Sequence, residues 1–542
     1  MISEFLQDCW QAGAIAGGTF VSEDATCIAT GLLIRTGQLD WPLALGACFL
    51  GIFVGDLGLW LIGRLCGPRV LGWRWVRKRM PAHRLEHLTH WFDRRGWTAV
   101  LAARFLPGTR LPVYLAAGML GRSAGRFVLW AAIAALLWTP LLVLLVAWLG
   151  SAVVVPLERV LGSGWLTLAA ALVLFWSVWH ILPLCFSSIG RARLWARISR
   201  VWRWEFWPGW LFYAPLVPWI GYLAVRYRGI MTPTAANPGI VPHGGVVGES
   251  KFAILSQLPE AAIVPSALLA AAPADERLAQ LLHTMSARGW RFPLILKPDA
   301  GQRGVGLKLV RDTDAARAYF AGHPQAVLAQ TYHAGPLEAG IFYYRMPSAA
   351  SGLIFSITDK HFPVLIGDGV STVEALVWQN PRFRMQADTF LARLNGRADT
   401  VLAADERIPL AIAGNHCQGT LFRDGAQLIT PALEAAIDAI AKQFDGFYFG
   451  RFDVRYASED ELKAGRGFAI VELNGVTSES TNLYDPSWSL LHAYRVLFRQ
   501  WRILFEIGAQ NRARGVSSSS LRRVVAESRV YYRERKVDLL SD

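Results

Sequence analysis

The chain has 542 residues, 53% of them hydrophobic and 18% charged, with a mean hydropathy of +0.29. That is too long for one core at ~100–200 residues per domain, and too apolar for a disordered chain or an ordinary soluble enzyme. Residues 1–230 hold 22 Lys+Arg against 10 Asp+Glu, and the rest hold 33 against 31, so nearly all of the +14 net charge sits in the apolar part.

A nucleic-acid binder would spread basic charge over a polar surface. This split instead predicts a membrane unit with basic loops, a near-neutral soluble unit after it, and no nucleic-acid partner. None of the six cysteines forms a CxxC pair, so neither a zinc ribbon nor a disulfide framework is indicated. The first residues carry Glu4 and Asp8 and no basic run, which predicts no cleaved signal peptide.

Residues 11–34 are apolar but include Gly17, Gly18, Glu23 and Asp24, and residues 97–120 include Arg104, Pro107, Gly108, Arg110 and Pro112. A Pro–Gly pair breaks the helix ladder, and bare backbone at membrane depth survives only inside protein or against water. Both stretches are therefore predicted to be re-entrant hairpins, and such paired broken segments point to a transport site between inverted repeats. Trp41 to Gly63 is a predicted span interrupted by Asp56; residues 127–157 carry no charge and 160–190 only His180. Each of the last two exceeds the ~20 residues a crossing needs. Nine Arg/Lys between Arg64 and Arg95, and five between Arg191 and Arg203, place both loops in the cytoplasm.

Ionisable groups at membrane depth cost at least ~2.5–3.5 kcal/mol, so they are rarely idle. Glu23, Asp24 and Asp56 are candidate proton carriers, and Arg104 and Arg110 candidate phosphate forks. The alternative is that they pair with one another or reach the interface. His83, His87 and His90 follow i, i+4, i+7 spacing on a basic stretch, which reads as an interfacial helix rather than a metal face.

The segments GDLGLWLIGRLCG (55–67) and ARFLPGTRLPVYLAAGMLG (103–121) resemble the two signature segments of DedA-family membrane proteins. Asp56, Gly63, Arg64, Arg104, Phe105, Pro107, Gly108 and Arg110 fall on the recurring positions, and Glu23 on the acid of the first hairpin. Trp60 stands where an aromatic, often Tyr, is usual. The likeness covers about residues 10–185 and implies a phospholipid or polyprenyl-phosphate translocase driven by protons, in which the two arginines grip a lipid phosphate.

Residues 206–225, FWPGWLFYAPLVPWIGYLAV, hold three prolines between Arg203 and the pair Arg226 and Arg228. A straight span would leave one basic flank outside, so a kinked segment in the cytoplasmic leaflet is expected. TPTAANPGIVPHGG (232–245) reads as a linker or as irregular chain over the next domain.

From about residue 246, short β runs alternate with helical stretches, giving an α+β or α/β domain. In PLILKPDAGQRGVGLKLV (293–310), a strand ending at Lys297 leads to a loop whose Gly301, Gly304 and Gly306 free backbone N–H groups for phosphate, with Arg303 adding charge. No G-K-[ST] follows, so it is not a Walker A loop. In GRFDVRY (450–456) and FAIVELN (468–474), strand alternation puts Arg451 with Asp453 and Glu472 with Asn474. On neighbouring strands these give an oxygen set suited to Mg²⁺ and a guanidinium suited to a transferring phosphoryl group. The plainer alternative is a solvated strand face with salt bridges.

Lysine and glycines, then R-x-D, then E-x-N: this order resembles the ATP-grasp superfamily, as in D-alanine–D-alanine ligase and cyanophycin synthetase, over about residues 246–490. The resemblance implies ATP and Mg²⁺ as cofactors and Asp453, Glu472 and Asn474 as metal ligands. It makes Lys297 and Arg451 catalytic, and Lys251, Lys297, Gly301, Arg303, Gly304, Gly306, Gln330, Glu338 and Lys360 nucleotide contacts. QTYHAGPLE (330–338) would cross the inter-lobe hinge and bring Glu338 near ribose or adenine. Gln330 stands where a hinge Glu is frequent, and ELNGVTSES replaces the ligase's E-x-N-x-x-P-G, so amino-acid specificity does not transfer. Ser478, Ser480 and Thr481 line an acceptor pocket or simply cap helices. Residues from 486 read as a basic amphipathic helix, packed on the core or lying on the leaflet, and then a tail.

The expected architecture is multi-domain: an α-helical membrane domain with re-entrant hairpins (1–190), a basic loop, aromatic segment and linker (191–245), an α+β ATP-grasp domain (246–490), and an amphipathic helix and tail (491–542). The expected protein sits in a bacterial inner membrane, multi-pass, with its ATP-grasp domain cytoplasmic and a homo-oligomer allowed. Its expected reaction joins a small carboxylate to an amine by way of an acyl phosphate, on a lipid or lipid-linked carrier that the membrane domain binds or flips. Two rivals stay open: a transporter whose ATP-grasp domain senses nucleotide, and a ligase for a soluble substrate with the membrane half as anchor.

Overall fold

The computed structural model describes residues 2–35, 37–66, 98–105, 110–119, 124–161, 170, 173, 177, 181, 184–300, 306–394, 396–411, 414–416 and 419–534. The chain divides into two compact units, Met1–Leu194 and Trp195–Asp542. Much of the predicted 160–190 span, the 83–90 histidines, Pro107, Gly108, Gly301, Arg303 and Gly304 lie outside the described residues.

In the first unit, α1 (Ile2–Arg35), α2 (Trp41–Cys66), α3 (Thr98–Phe105), α4 (Arg110–Met119) and α5 (Ala124–Leu161) are the principal helices. Helix α1 breaks at Ser22, whose φ of −158° and ψ of 106° are extended. A Cβ on Gly18 would meet the Thr26 hydroxyl oxygen at 3.0 Å. Eight residues along a straight helix are ~12 Å apart, so the two arms of α1 fold back as a helical hairpin. The Tyr114 hydroxyl donates to the Val100 carbonyl at 3.3 Å, which draws α3 and α4 together in the same way. Glycine lets α2 and α4 touch backbone to backbone: a Cβ on Gly63 would strike the Leu115 carbonyl, and one on Gly118 the Trp60 carbonyl.

Helices α2 and α5 contain stretches, Trp41–Leu65 and Ala124–Trp148, long and apolar enough to cross a membrane. Their outward side chains stay uncovered by protein, with Leu129, Leu136, Leu141 and Trp148 all exposed. Such a surface suits hydrocarbon, not water. Inward, Cys27, Ile28, Leu32, Ala44, Cys48, Trp138 and Val143 form a closed core.

The chain passes into the second unit through α6 (Ser188–Ser199), and α7 (Leu216–Arg226) follows. A four-stranded antiparallel sheet of β1 (Ser266–Leu269), β2 (Leu294–Pro298), β3 (Lys308–Val310) and β4 (Val327–Thr331) has the order β1-β4-β2-β3. Helices α8 (Ala274–Arg288) and α9 (Thr313–Gly322) pack on it around Leu281, Leu294, Leu296 and Phe320. The second sheet has five antiparallel strands. They are β5 (Leu337–Tyr344), β6 (Leu353–His361), β9 (Leu421–Asp424), β10 (Phe449–Tyr456) and β11 (Phe468–Asn474), in the order β11-β10-β5-β6-β9. Strands β7 (Val364–Ile366) and β8 (Arg407–Pro409) pair apart from it. All pairings between the named strands are antiparallel, so of the two classes open from the sequence this is α+β.

Alternation sorts the larger sheet. Ala339, Ile341 and Tyr343 of β5 and Phe452, Val454 and Tyr456 of β10 enter a core closed by α10 (Pro431–Gln443), through Leu433, Ile437 and Ala441. The intervening residues face the other way, and that face holds the polar groups described below.

Residues 195–245 belong to the compact second unit. Trp204, Phe212 and Leu216 pack with Leu483, Ala493 and Leu497, the last two on α11 (Leu490–Ala513). The Trp219 indole donates to the Phe498 carbonyl at 3.1 Å. Asn237 is fully buried: its Nδ2 donates to the Phe449 carbonyl at 2.6 Å, while its Oδ1 accepts from the N–H groups of Tyr448 and Phe449 at 2.9 and 3.0 Å. This amide pins the start of β10, so the Asn237→Ala variant should lose about 2–4 kcal/mol of second-unit stability. Thermal unfolding of the detergent-solubilised protein, followed by tryptophan fluorescence, should show a midpoint several degrees lower.

Candidate functional site

In the first unit, four charges from four helices meet. Arg104 donates to Asp56 Oδ2 at 2.8 Å and to Glu23 Oε2 at 3.0 Å. Arg110 donates through Nε to Asp56 Oδ1 at 2.6 Å and pairs with Glu23 through Nη1. Asp56 is fully buried and Arg104 nearly so, whereas Arg110 and Glu23 keep a partly open edge. Two carboxylates against two guanidiniums cancel, which is the condition for keeping four charges in a low dielectric. Asp24, next along the helix, is half-buried.

In the second unit, cross-strand register builds the polar face. Asp453 sits opposite Glu472 on β11 and opposite Gly340 on β5; Arg451 sits opposite Asn474, and Arg455 opposite Glu338. Glu338 in turn sits opposite Lys360 on β6. Lys360 Nζ donates at 2.8 Å to both Glu338 Oε1 and Asp453 Oδ1. Arg451 forks onto both oxygens of Asp453 at 3.0 and 3.1 Å, and donates to the Glu479 carbonyl at 3.1 Å. Asn474 donates to Asp453 Oδ2 at 3.2 Å, and Arg455 to Glu338 Oε2 at 3.2 Å. Glycine is needed twice beside this cluster. A Cβ on Gly340 would lie 3.0 Å from Arg451 Cδ, and one on Gly414 would collide with the Glu338 carboxylate.

The smaller sheet adds the opposing wall. Lys297 at the end of β2 donates to the Val471 carbonyl at 3.1 Å, and Gln330 on β4 donates to Ser266 Oγ at 2.9 Å and to the Val471 carbonyl at 3.3 Å. Lys251 lies 3.7 Å from Glu472. Gly306, the described end of the glycine loop, has φ +77°. One cavity of about 860 Å³ joins the two sheets, and Lys297, Gln330, Glu338, Lys360, Asp453 and Glu472 all line it. The segment from Gln330 to Glu338 passes from one sheet to the other, as expected of a hinge crossing. Glu338 itself is tied to Lys360 and Arg455 in the middle of the polar face.

Electrostatics separate the two lysines. Burial pushes Lys297 below its ordinary pKa, with Glu472 opposing. Burial would lower Lys360 too, but Asp453 and Glu338 outweigh it and hold the ammonium charged. The Asp453 carboxyl, which burial alone would raise, is held at about 2 by the Arg451 and Lys360 charges beside it. An anionic Asp453 with Glu472 across the strand and Asn474 two residues on supplies oxygens that fit Mg²⁺, which takes one or two carboxylates and completes its shell with phosphate and water. Among the described residues no group of three or more His, Cys, Asp or Glu could hold a metal. An ion here would depend on phosphate oxygens.

With this geometry in hand, known proteins were compared. Residues 21–148 match the model of the VTT domain. The chain is 31% identical over 127 residues to an uncharacterized membrane protein of Haemophilus influenzae, covering 23% of this chain and 60% of that protein. It is 29% identical over 223 residues to inner membrane protein YabI of Escherichia coli, covering 41% and 82%. To YqjA, also an inner membrane protein of Escherichia coli, it is 28% identical over 134 residues, covering 24% and 59%. The chain thus spans less than two thirds of the Haemophilus and YqjA proteins.

Among solved structures, it is similar to D-cycloserine synthetase DcsG, at 13% identity, TM-score 0.28, and 46% of this chain against 69% of that one. The D-alanine–D-alanine ligase of Bacillus anthracis gives 13%, 0.27, 53% and 69%. A bifunctional glutathione synthetase of Pasteurella multocida gives 15%, 0.26, 46% and 36%, so the chain spans about a third of that enzyme. These overlaps carry no argument here; the second unit's chemistry is read from its own side chains. The resemblance to DedA proteins is shown over the VTT domain, which contains Glu23, Asp24, Asp56, Arg104 and Arg110.

Sequence reasoning missed Arg455, although the same period-two alternation that selected Arg451 and Asp453 reaches it. It also missed Glu205, Tyr213, His416, Glu479 and Tyr484, which line the cavity from segments far apart in the chain. Ser480 is buried and bonds to Ser356 and Asn482, and Ser478 and Thr481 line the cavity wall.

Because Asp453 is held below its unfolded value, its contribution to stability is complete above about pH 4 and is lost as pH falls towards 2. Lys360→Met removes one of the charges that holds it there and leaves Glu338 and Asp453 short of a counter-ion. The variant should therefore lose several kcal/mol at neutral pH, ~3–5 for breaking a buried pair, and unfold in acid at a higher pH than the parent. Acid titration followed by tryptophan fluorescence checks both.

Proposed function

We propose that the second unit is an ATP-grasp carboxylate–amine ligase and that the VTT domain presents a lipid or lipid-linked substrate to it. The observation that carries this reading is the single cavity where Lys297 and Gln330 on one sheet face Asp453, Glu472, Asn474, Arg451 and Lys360 on another. Lys297 is buried there with a backbone carbonyl as its hydrogen-bond partner, and a buried ammonium so placed gains from an anionic ligand.

In this reading Lys297, Lys251 and the loop ending at Gly306 receive the nucleotide phosphates, while Asp453, Glu472 and Asn474 hold Mg²⁺. The ion would neutralise charge on the transferring phosphoryl group. Arg451, fixed by its fork to Asp453, points a guanidinium at the same region, and Lys360 keeps Asp453 anionic. Barrier lowering would come from positioning and charge, consistent with an acyl phosphate that an amine then attacks. In the VTT domain, Arg110 on the open edge of its network is placed to exchange Glu23 for a lipid phosphate, with the hairpins re-entering the membrane and the freed Glu23 carboxylate taking up a proton from adjoining water. Joining both units in one chain raises the effective concentration of headgroup at the ligase. The basic loops put the second unit on the cytoplasmic side of a bacterial inner membrane.

The test uses full-length protein in nanodiscs, with ADP release measured against amino acids, amines and lipid extract, and products read by lipid mass spectrometry. Asp453→Asn and Glu472→Gln should each lower turnover about 100-fold or more. Arg110→Ala should remove the lipid product while nucleotide binding persists. Nucleotide binding with no turnover under any substrate combination would replace the ligase by a sensor.

A further inference from the structure

Away from Lys297, the cavity ends in an aromatic box built by the segment that precedes the two sheets. Trp204 stacks on Phe212 with centroids 5.7 Å apart, and Tyr484 closes on both at 6.2 and 5.6 Å. Tyr213 and Tyr484 each place a hydroxyl 3.0 Å from Glu479 Oε2 and lie 2.8 Å from one another. Burial and the Glu479 charge push the Tyr484 phenol well above its ordinary pKa, so that ring stays neutral beside an acidic group.

His416 stacks on Tyr484 with centroids 5.1 Å apart, is 8% exposed, and lines the cavity. Its Nε2 stands 3.6 Å from Glu205, whose carboxylate is engaged by Arg382 at 3.1 and 3.2 Å, so that nitrogen faces an acceptor. Burial holds the His416 ring below its ordinary pKa, so it closes the box as a neutral aromatic wall. The box is joined to the phosphate face by Arg451, whose guanidinium bonds both Asp453 and the Glu479 carbonyl.

We infer that this end of the cavity, formed by Glu479, Tyr213, Tyr484, Trp204 and His416, is the binding subsite for a primary ammonium. The inference rests on the ligase reading for its role, as the place of the amine substrate, but the site is defined by its own residues. Aromatic faces and a carboxylate attract a cation and repel a second carboxylate, so the acid to be activated belongs at the Lys297 end. The tyrosine hydroxyls orient Glu479, and a primary ammonium has three donors to divide among the Glu479 carboxylate and the hydroxyl oxygens of Tyr213 and Tyr484. A trimethylated headgroup has none.

The ammonium could be carried by a free amine or by a lipid headgroup, and the experiment separates the two. Full-length protein in phosphatidylcholine nanodiscs is titrated with ethanolamine, and in parallel reconstituted into phosphatidylethanolamine nanodiscs, with ATP and a panel of small carboxylic acids present. Saturable ADP release on adding ethanolamine assigns a free amine; release only in phosphatidylethanolamine assigns the lipid. In either arm Glu479→Gln should raise the half-saturating amine about ten-fold or more, Glu479→Asp should recover part of it, and half-saturation by ATP should stay unchanged. An unchanged amine dependence in Glu479→Gln overturns the subsite.

If no ATP is turned over, the ligase reading has failed and the subsite is judged directly. Ethanolamine, or phosphatidylethanolamine against phosphatidylcholine discs, should change tryptophan fluorescence in the parent and in Tyr213→Phe, and not in Glu479→Gln. No change in the parent overturns it. Tyr213→Phe keeps the carboxylate and serves if Glu479→Gln does not fold: its half-saturating amine, or its apparent affinity by fluorescence, should weaken by a few-fold, and no weakening counts against the site.

Discussion

A buried ammonium holds the second unit's chemistry in place. Lys360 lies between Glu338 and Asp453, so one positive charge ties β6 to β5 and to β10. The Lys360 charge, together with that of Arg451, outweighs the burial that would otherwise raise the Asp453 carboxyl. Arg451 and Arg455 add a second tie to each acid from β10 itself. What results is a charged surface whose geometry is set by strand register, since the pairs are direct cross-strand or same-face neighbours. Strands are stiff at this scale, so groups mounted on them are held more closely than groups on loops.

The first unit solves a related problem differently. Three of its four charges sit where helices break or end, with Glu23 one residue after the Ser22 kink and Arg104 and Arg110 on either side of the gap between α3 and α4, while Asp56 lies within the continuous α2. The network is neutral as a whole and partly open at Arg110. Such an arrangement can exchange one anionic partner for another without exposing an unpaired charge. Close backbone contact at Gly63 and Gly118 keeps α2 and α4 near enough for Asp56 to be reached.

The aromatic segment shows how one stretch can serve two surfaces of a domain. Trp204, Phe212 and Leu216 turn inward to the α11 core and the cavity, while Trp202, Trp210 and Val217 remain exposed. Its prolines suit that role, because they end helices after one or two turns and let the chain redirect its large rings. Composition alone made it look like a membrane element. Burial in the unit depends on partners from residues 483 to 501, which no local pattern reveals.

The sequence by itself determined the membrane and near-neutral units, the Asp56–Arg104–Arg110 set, and the pairs Arg451/Asp453 and Glu472/Asn474. Each of these follows from hydropathy, helix breakers or period-two alternation, which are local. It also marked Lys297 and Lys360 as chemically important, but not what they touch. Tertiary structure alone decided that Glu338 meets Lys360 and Arg455, that Asn237 locks β10, and that Tyr213, Glu479 and Tyr484 share one hydrogen-bonded corner. Those contacts join residues up to 271 positions apart. They are fixed by how sheets and helices stack, and side-chain chemistry carries no record of which distant neighbour the fold will supply.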